Sequence, residues 1–286
     1  MGGITRRNLM LGTALALAAG ASRRAVAQSD ALILGTKLEL STLDPHFFNG
    51  FPQASSHSCV FDSLTLLDDR LVPTPGLATE WRNIDDLTWE FKLRRGVKFH
   101  DGGDFVADDV IATLERVPNV PNSPNSFGQY TRTIARAEKI DDYTVRFHTS
   151  APSPMLPNDL GRVLIIAKRF ASATTADFNS GRAMIGTGPY KLAEWANGER
   201  LVLDRNQGYW GGPATWSRVT ERIIKTDPAR IAALLTGAVG AVDEIPSADM
   251  PRLRQDSRFV LSSGPAAVVH YIALDSARDD SPFVGP

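Results

Sequence analysis

Residues 87–117 read LTWEFKLRRGVKFHDGGDFVADDVIATLERV, and this stretch decides the fold class. Trp89, Phe91 and Leu93 alternate with Glu90, Lys92 and Arg94, the period-two pattern of a strand with one buried and one wet face. Arg95-Gly96 interrupts the alternation, Val97 and Phe99 resume it, and His100-Asp101-Gly102-Gly103 supplies turn residues in which glycine takes positive φ without steric cost. Val110, Ile111, Leu114 and Val117 then occupy one face of a helix. Asp108 and Asp109 sit in its first turn, where the helix dipole favours negative charge, and Pro118 stops it. A strand pair, a tight turn and a short amphipathic helix are predicted.

Downstream, PNVPNSPNSF (118–127) has no periodicity and reads as a loop. Asp141-Asp142 leads into Tyr143-Thr144-Val145-Arg146-Phe147, as Asp85-Asp86 leads toward Trp89 and Phe91, so the two strands are expected to be neighbours in one antiparallel sheet. Tyr190 to Trp195 and Arg200 to Asp204 are strand-like and flank Asn197-Gly198, a dipeptide suited to a tight hairpin turn. Gly186-Thr187-Gly188 lacks the further glycine and lysine of a phosphate loop. Asp227-Pro228 reads as an N-cap followed by proline at the first helical position, with Ile231, Leu234, Leu235 and Ala238 as the buried stripe. A short strand over Val239 to Ile245, a helix capped by Ser247, and strands near Arg258–Leu261 and Ala267–Leu274 complete the chain.

Upstream, Ala31 to Leu38 reads as an opening strand ended by Leu43-Asp44-Pro45. HFFNGFPQ (46–53) is an aromatic loop broken by Gly50 and Pro52, and by itself it reads as one whose phenylalanines tuck into the core. Ser55 to Leu67 reads as helical, with Val60, Phe61 and Leu64 on one face. Strands alternating with helices and interleaved antiparallel hairpins predict a mixed α/β fold.

The first 27 residues read as an address. Arg6-Arg7 precedes an uncharged run from Leu9 to Ala21, and Ala25-Val26-Ala27 has the small-residue spacing of a signal-peptidase site. The paired arginines resemble a twin-arginine export signal, with the general secretory route as the alternative, and cleavage is expected near Ala27. The chain carries 31 basic and 32 acidic residues; the leader holds four arginines and no acid, so the mature charge is −5. That balance argues against a nucleic-acid role, which needs a clustered basic face. The single cysteine, Cys59, can form no intramolecular disulfide and reads as a buried structural thiol. His46, His57, His100, His148 and His270 are scattered, with no pair at metal-ligand spacing, and read as surface or turn histidines. No nucleophile elbow or zincin motif occurs, so neither catalysis nor a cofactor is expected.

TWEFKLRRGVKFHDGGDFVADDV, GTGPYKLAEWANGERLVLDRNQGYWGG and DPARIAALLTGAV, with the opening STLDP and the late Tyr271-Ile272-Ala273-Leu274-Asp275, resemble the solute-binding proteins of ABC importers of the peptide, nickel and opine class, extracellular solute-binding family 5. The resemblance implies a periplasmic-binding-protein-like type II fold in which two lobes close on a solute and hand it to an ABC permease in the inner membrane. On this sequence it places the first-lobe main domain at residues 28–48 and 185–262, an inserted subdomain at 49–184, and a hinge crossing at 263–286. Members of that family are much longer, so the second lobe is expected to be missing. The loop after LDP lines the cleft in peptide-binding relatives, which carries over to Asn49, Gly50 and Phe51; the polar loop after the amphipathic helix carries over to Ser126 and Phe127. Asp243, Glu244 and the hinge aromatic Tyr271 should face the same space. Phe51 thereby becomes a cleft residue, supplying apolar contact to a small peptide or peptide-like solute. Val106 stands where relatives place a capping threonine. Two further readings remain: an exported peptide hydrolase, which would need a nucleophile and base that the sequence does not display, and a ligand-independent interaction module or a non-functional fragment.

Overall fold

A computed structural model describes residues 30–264. The chain opens with β1 (Ala31–Thr36), crosses the Asp44-Pro45 turn, and forms α1 (Phe51–Ser58). Short strands β2 (Thr65–Leu67) and β3 (Pro73–Pro75) pair as a ribbon before β4 (Ala78–Asp85) and β5 (Thr88–Leu93). After α2 (Ala107–Arg116) come β6 (Ile134–Asp141), β7 (Thr144–Thr149), α3 (Leu156–Leu160) and α4 (Thr175–Asn179). The last part comprises β8 (Tyr190–Ala196), β9 (Arg200–Arg205), β10 (Arg218–Ile223), α5 (Asp227–Leu235), β11 (Ala241–Val242) and α6 (Met250–Gln255).

Two sheets organise these elements. The first has the order β11-β1-β10-β9-β8, parallel where β1 meets β10 and β11 and antiparallel from β10 to β8. The second, β4-β5-β7-β6, is antiparallel throughout. Trp89 lies opposite Phe147 and Phe91 opposite Val145, so the two strands fed by acidic pairs are neighbours, as expected. The aromatic alternation sets this register, because a slip by one residue would turn every ring to the other face. The β8–β9 hairpin also forms, with Gly198 at φ +75° in its turn.

Among the described residues, three apolar clusters form the core. Trp89, Phe91 and Phe147 of the second sheet pack with Val110 and Leu114 of α2. Val60, Phe61, Leu43 and Phe178 pack with Leu201 and Leu203 of the first sheet. Ile231 and Leu234 of α5 meet Val239 and Leu253.

Several local expectations are corrected. The 55–67 segment is not one helix: α1 ends at Ser58, and β2 begins at Thr65. Val60 and Phe61 enter the second cluster while Leu64 enters the first, so helix-like spacing here records burial in two separate cores. The expected wet face of β5 is only partly wet: Lys92 stays half-exposed, but Glu90 is 4% exposed between Arg82 on β4 and Arg146 on β7, at 2.8 and 2.9 Å. Beyond Gly96 the expected strand partner reduces to one bridge, Lys98 to Asp104. The cap of α5 is Thr226, with Asp227 opening the helix; α6 follows Asp249 rather than Ser247; β11 is shorter than predicted; and no strand forms at 258–261. The strand expected at 267–274 lies outside the described residues.

Candidate functional site

The aromatic loop is anchored at its first residues by a buried ion pair. The Asp44 carboxylate is fully buried and accepts both arms of the Arg116 guanidinium, at 2.9 and 2.6 Å, the His46 amide at 3.0 Å and the Thr175 hydroxyl at 2.8 Å. Arg116 also donates to His46 Nδ1 at 2.8 Å, which leaves the imidazole proton on Nε2, where it donates to the Leu164 carbonyl at 2.7 Å. Burial, and then the Arg116 charge, hold the His46 pKa down at about 4. Burial pushes the Asp44 carboxyl upward, but its hydrogen bonds and the charge of Arg116 outweigh this and hold it below the usual range. His57 is also buried, with Nε2 3.1 Å from the Thr42 carbonyl and its pKa lowered by burial to about 4. These two histidines are interior clamps and not the surface groups expected. His100 sits in its expected turn, partly buried, with Nε2 3.0 Å from the Gly188 carbonyl.

The rest of the loop is joined to the polar loop that follows α2. The Asn49 amide donates to the Asn125 carbonyl at 3.0 Å, and the Asn125 side chain returns a bond to the Asn49 carbonyl at 2.7 Å. Asn49 Nδ2 donates to the Tyr130 hydroxyl at 3.2 Å, and Ser123 bonds the Phe47 carbonyl at 2.7 Å. Gly50 caps α1 in an extended conformation, and Phe51 is the first residue of that helix, not a loop residue. Ser126 accepts the Gly128 amide through Oγ, and the Phe127 ring is buried, edge-on to His46 with centroids 6.3 Å apart. Asn49, Gly50, Ser126 and Phe127 are therefore neighbours. Tyr271 lies outside the described residues.

Asp243 and Glu244 stand apart from that group, across α1. One cavity, of about 540 Å³, is lined by Asn49, His57, Asp62, Leu66, Phe127 and Arg162. A second, of about 260 Å³, is lined by Thr36, Leu38, Ser56, Glu221, Asp243 and Glu244. The helix separates them, presenting Ala54, His57 and Ser58 to one and Ser55 and Ser56 to the other. Arg230 organises the end of β11. Its buried guanidinium donates to the carbonyls of Ile224, Asp243 and Glu244 and to Asp227 Oδ1, at 2.8 to 3.1 Å. Those bonds hold Glu244 at φ +46°, a left-handed conformation costly for a residue with a Cβ.

Glu221, Ser56 and Thr36 went unnoticed in the sequence. Glu221 is on β10, for which no strand was predicted, yet it shares the inward parity of Val219, and an acid at that parity is the signal that could have found it. Burial, with the nearby Asp243 charge, raises its pKa against the opposing Ser56 hydrogen bond at 2.7 Å. Burial and Glu221 likewise push the half-buried Cys59 thiol up to about 11, which keeps it protonated and unreactive. Asp62 is occupied structurally, accepting bonds from Thr187, Tyr209 and Trp210. Among the described residues no cluster of three metal-ligating side chains occurs, and no helix is long and apolar enough to cross a membrane.

Comparison with known proteins gives concordant matches. The family model for bacterial extracellular solute-binding proteins, family 5 Middle, matches residues 72–284. The periplasmic oligopeptide-binding protein OppA of Salmonella typhimurium is 27% identical over 99% of this chain and 57% of its own length. The oligopeptide-binding protein AppA of Bacillus subtilis, solved with a nonapeptide, is 27% identical with a TM-score of 0.71, covering 78% of this chain and 45% of that one. NikZ of Campylobacter jejuni, solved with Ni(L-His), is 25% identical with a TM-score of 0.72, covering 80% and 46%. The chain thus spans about half the length of the relatives it matches.

Proposed function

Because the chain belongs to the bacterial extracellular solute-binding proteins, family 5, we propose that it is the substrate-binding component of an ABC importer for peptides or similar small solutes. It is exported by the twin-arginine or general machinery, loses its leader near Ala27, and delivers its solute to a permease in the inner membrane. The observation that carries this reading is the position of the Thr36–Asp243 cavity, at the carboxyl ends of the parallel strands β1 and β11, where open α/β sheets receive ligands. Asn49 and Phe127 line the separate cavity on the other side of α1. Asp243 and Glu244 offer charge in the Thr36–Asp243 cavity, while the backbone and amide groups of Asn49 are already bonded to Asn125 and Tyr130. Tyr271 is assigned to the same cleft by family resemblance alone.

The domain division follows the sheets. The first sheet draws its strands from 31–36 and 190–242, and the second from 78–149, which supports a main domain of 28–48 and 185–262 with 49–184 inserted. Isothermal titration of residues 28–286 with pools of tri- and tetrapeptides, and separately with a nickel–histidine complex, tests the binding role. Saturable heat with a peptide pool is expected. Heat with none of them, from protein that melts cooperatively, would overturn the proposal.

A further inference from the structure

Strand register places Leu34, Thr36, Glu221 and Asp243 on one face of the first sheet. Leu34 lies opposite Glu221 on β10 and opposite Ala241 on β11, so Thr36 and Asp243, two residues further along each strand, share that parity. All four line the 260 Å³ cavity, with Leu38 and Leu40 completing an apolar wall and Ser56 closing it from α1.

The polar groups of this cavity are incompletely matched. Thr36 is 8% exposed, and its Oγ1 finds no hydrogen-bond partner, an unusual cost for a buried hydroxyl. Glu221 receives one bond, from Ser56 to Oε2, and no lysine or arginine pairs with it among the described residues. Asp243 accepts the Lys37 amide through Oδ1, with Arg230 Nε 3.6 Å from that same oxygen. Glu244 faces Lys37 Nζ at 3.4 Å. Lys37 and Arg230 also serve Asp227, so two cations are shared among three carboxylates, and the fourth, Glu221, has no cation among the described residues.

Deepening the receptor reading on which it rests, we infer that this cavity is a subsite for the primary ammonium group of the solute, carried on an aliphatic stem. An ammonium presents three N–H donors. Glu221 Oε1, Asp243 Oδ2 and Thr36 Oγ1 lie on adjacent strands spaced by about 4.8 Å and supply three acceptors. The cation neutralises the unpaired carboxylate, satisfies the orphaned hydroxyl, and leaves its methylene stem against Leu34, Leu38 and Leu40. The raised pKa of Glu221 fits an acid that waits for a cation to replace lost water.

The test uses n-butylammonium chloride as the probe and n-butanol as the uncharged control, followed by amide NMR shifts of residues 28–286. Saturable shifts at Thr36, Ser56, Glu221 and Asp243 with the amine alone are expected. Glu221→Gln should weaken the amine at least tenfold, and Thr36→Val several-fold, both with an unchanged spectrum away from the cavity. Asp243→Asn provides a second charge removal if Glu221→Gln fails to fold. Equal shifts with n-butanol, or wild-type amine affinity in a folded Glu221→Gln or Asp243→Asn variant, would refute the subsite. Peptide heat without amine binding would overturn this inference and leave the receptor reading standing, whereas amine binding without peptide heat does the reverse.

Discussion

Replacing Arg116 by methionine keeps most of the side chain's volume and removes its charge from a place where water cannot substitute. The side chains of Arg116 and Asp44 are 6% and 0% exposed. The variant loses both arms of the fork on Asp44, the bond to His46 Nδ1 and the bond to the Ala173 carbonyl at 3.2 Å, leaving a buried carboxylate with only the His46 amide and the Thr175 hydroxyl. Breaking a buried pair by deleting one partner costs about 3–5 kcal/mol, which for a chain of this size corresponds to a fall in Tm of roughly 10 °C or more. Urea denaturation at pH 7.5 measures it directly. Removing both charges in Asp44→Asn/Arg116→Met should cost much less than the sum of the single changes, because no isolated charge remains. The loss should also narrow on acidification: without Arg116, burial dominates and raises the Asp44 pKa above its unfolded value, so the variant regains stability as the pH falls through that raised pKa. A loss under about 1 kcal/mol, or strict additivity in the double variant, would refute the view that this pair anchors the aromatic loop.

Three other outcomes follow from the same structure. His46, His57 and His100 have folded pKa values near 4 against 6.5 unfolded, so their stability is fully present above about pH 6.5 and is lost as the pH falls toward 4, by about 2 kcal/mol per histidine at pH 5; a Tm that stays flat from pH 8 to 5 would contradict this. Gly186→Ala would place a Cβ 1.9 Å from the Val60 carbonyl oxygen, a backbone clash that no rotamer relieves, so a loss of about 3 kcal/mol is expected, and a wild-type urea midpoint would show the packing account to be wrong. Val106 caps α2 in an extended conformation without a side-chain acceptor, while Asp109 already returns a bond to its amide at 2.9 Å; Val106→Thr should therefore stabilise by about 0.5–1 kcal/mol, read as an upward shift in Tm.

Some of this fold was readable locally because its physical cause is local. The alternation of Trp89, Phe91 and Leu93, echoed by Val145 and Phe147, defines two strands that can bury rings on one face only in one register. Asn197-Gly198 defines its hairpin because positive φ at Gly198 costs little. The 55–67 segment defeated the same logic, since periodicity reports that a residue is buried and not which core buries it. Two clusters drew on one stretch, and the spacing imitated a helix.

The candidate site divides along the same line. The sequence by itself determined the α/β class and the family, with the export leader and the ligand contacts at Asn49–Phe51 and Ser126–Phe127 as expectations, because those depend on neighbouring residues or on ordered motifs. Only the tertiary structure decided that His46 and His57 are neutral clamps, since their partner carbonyls lie at Leu164 and Thr42. It alone brought Thr36, Ser56, Glu221 and Asp243 around one cavity, because the parallel pairing of β1 with β10 joins positions 187 residues apart, and no local pattern encodes which distant strand will supply the charge.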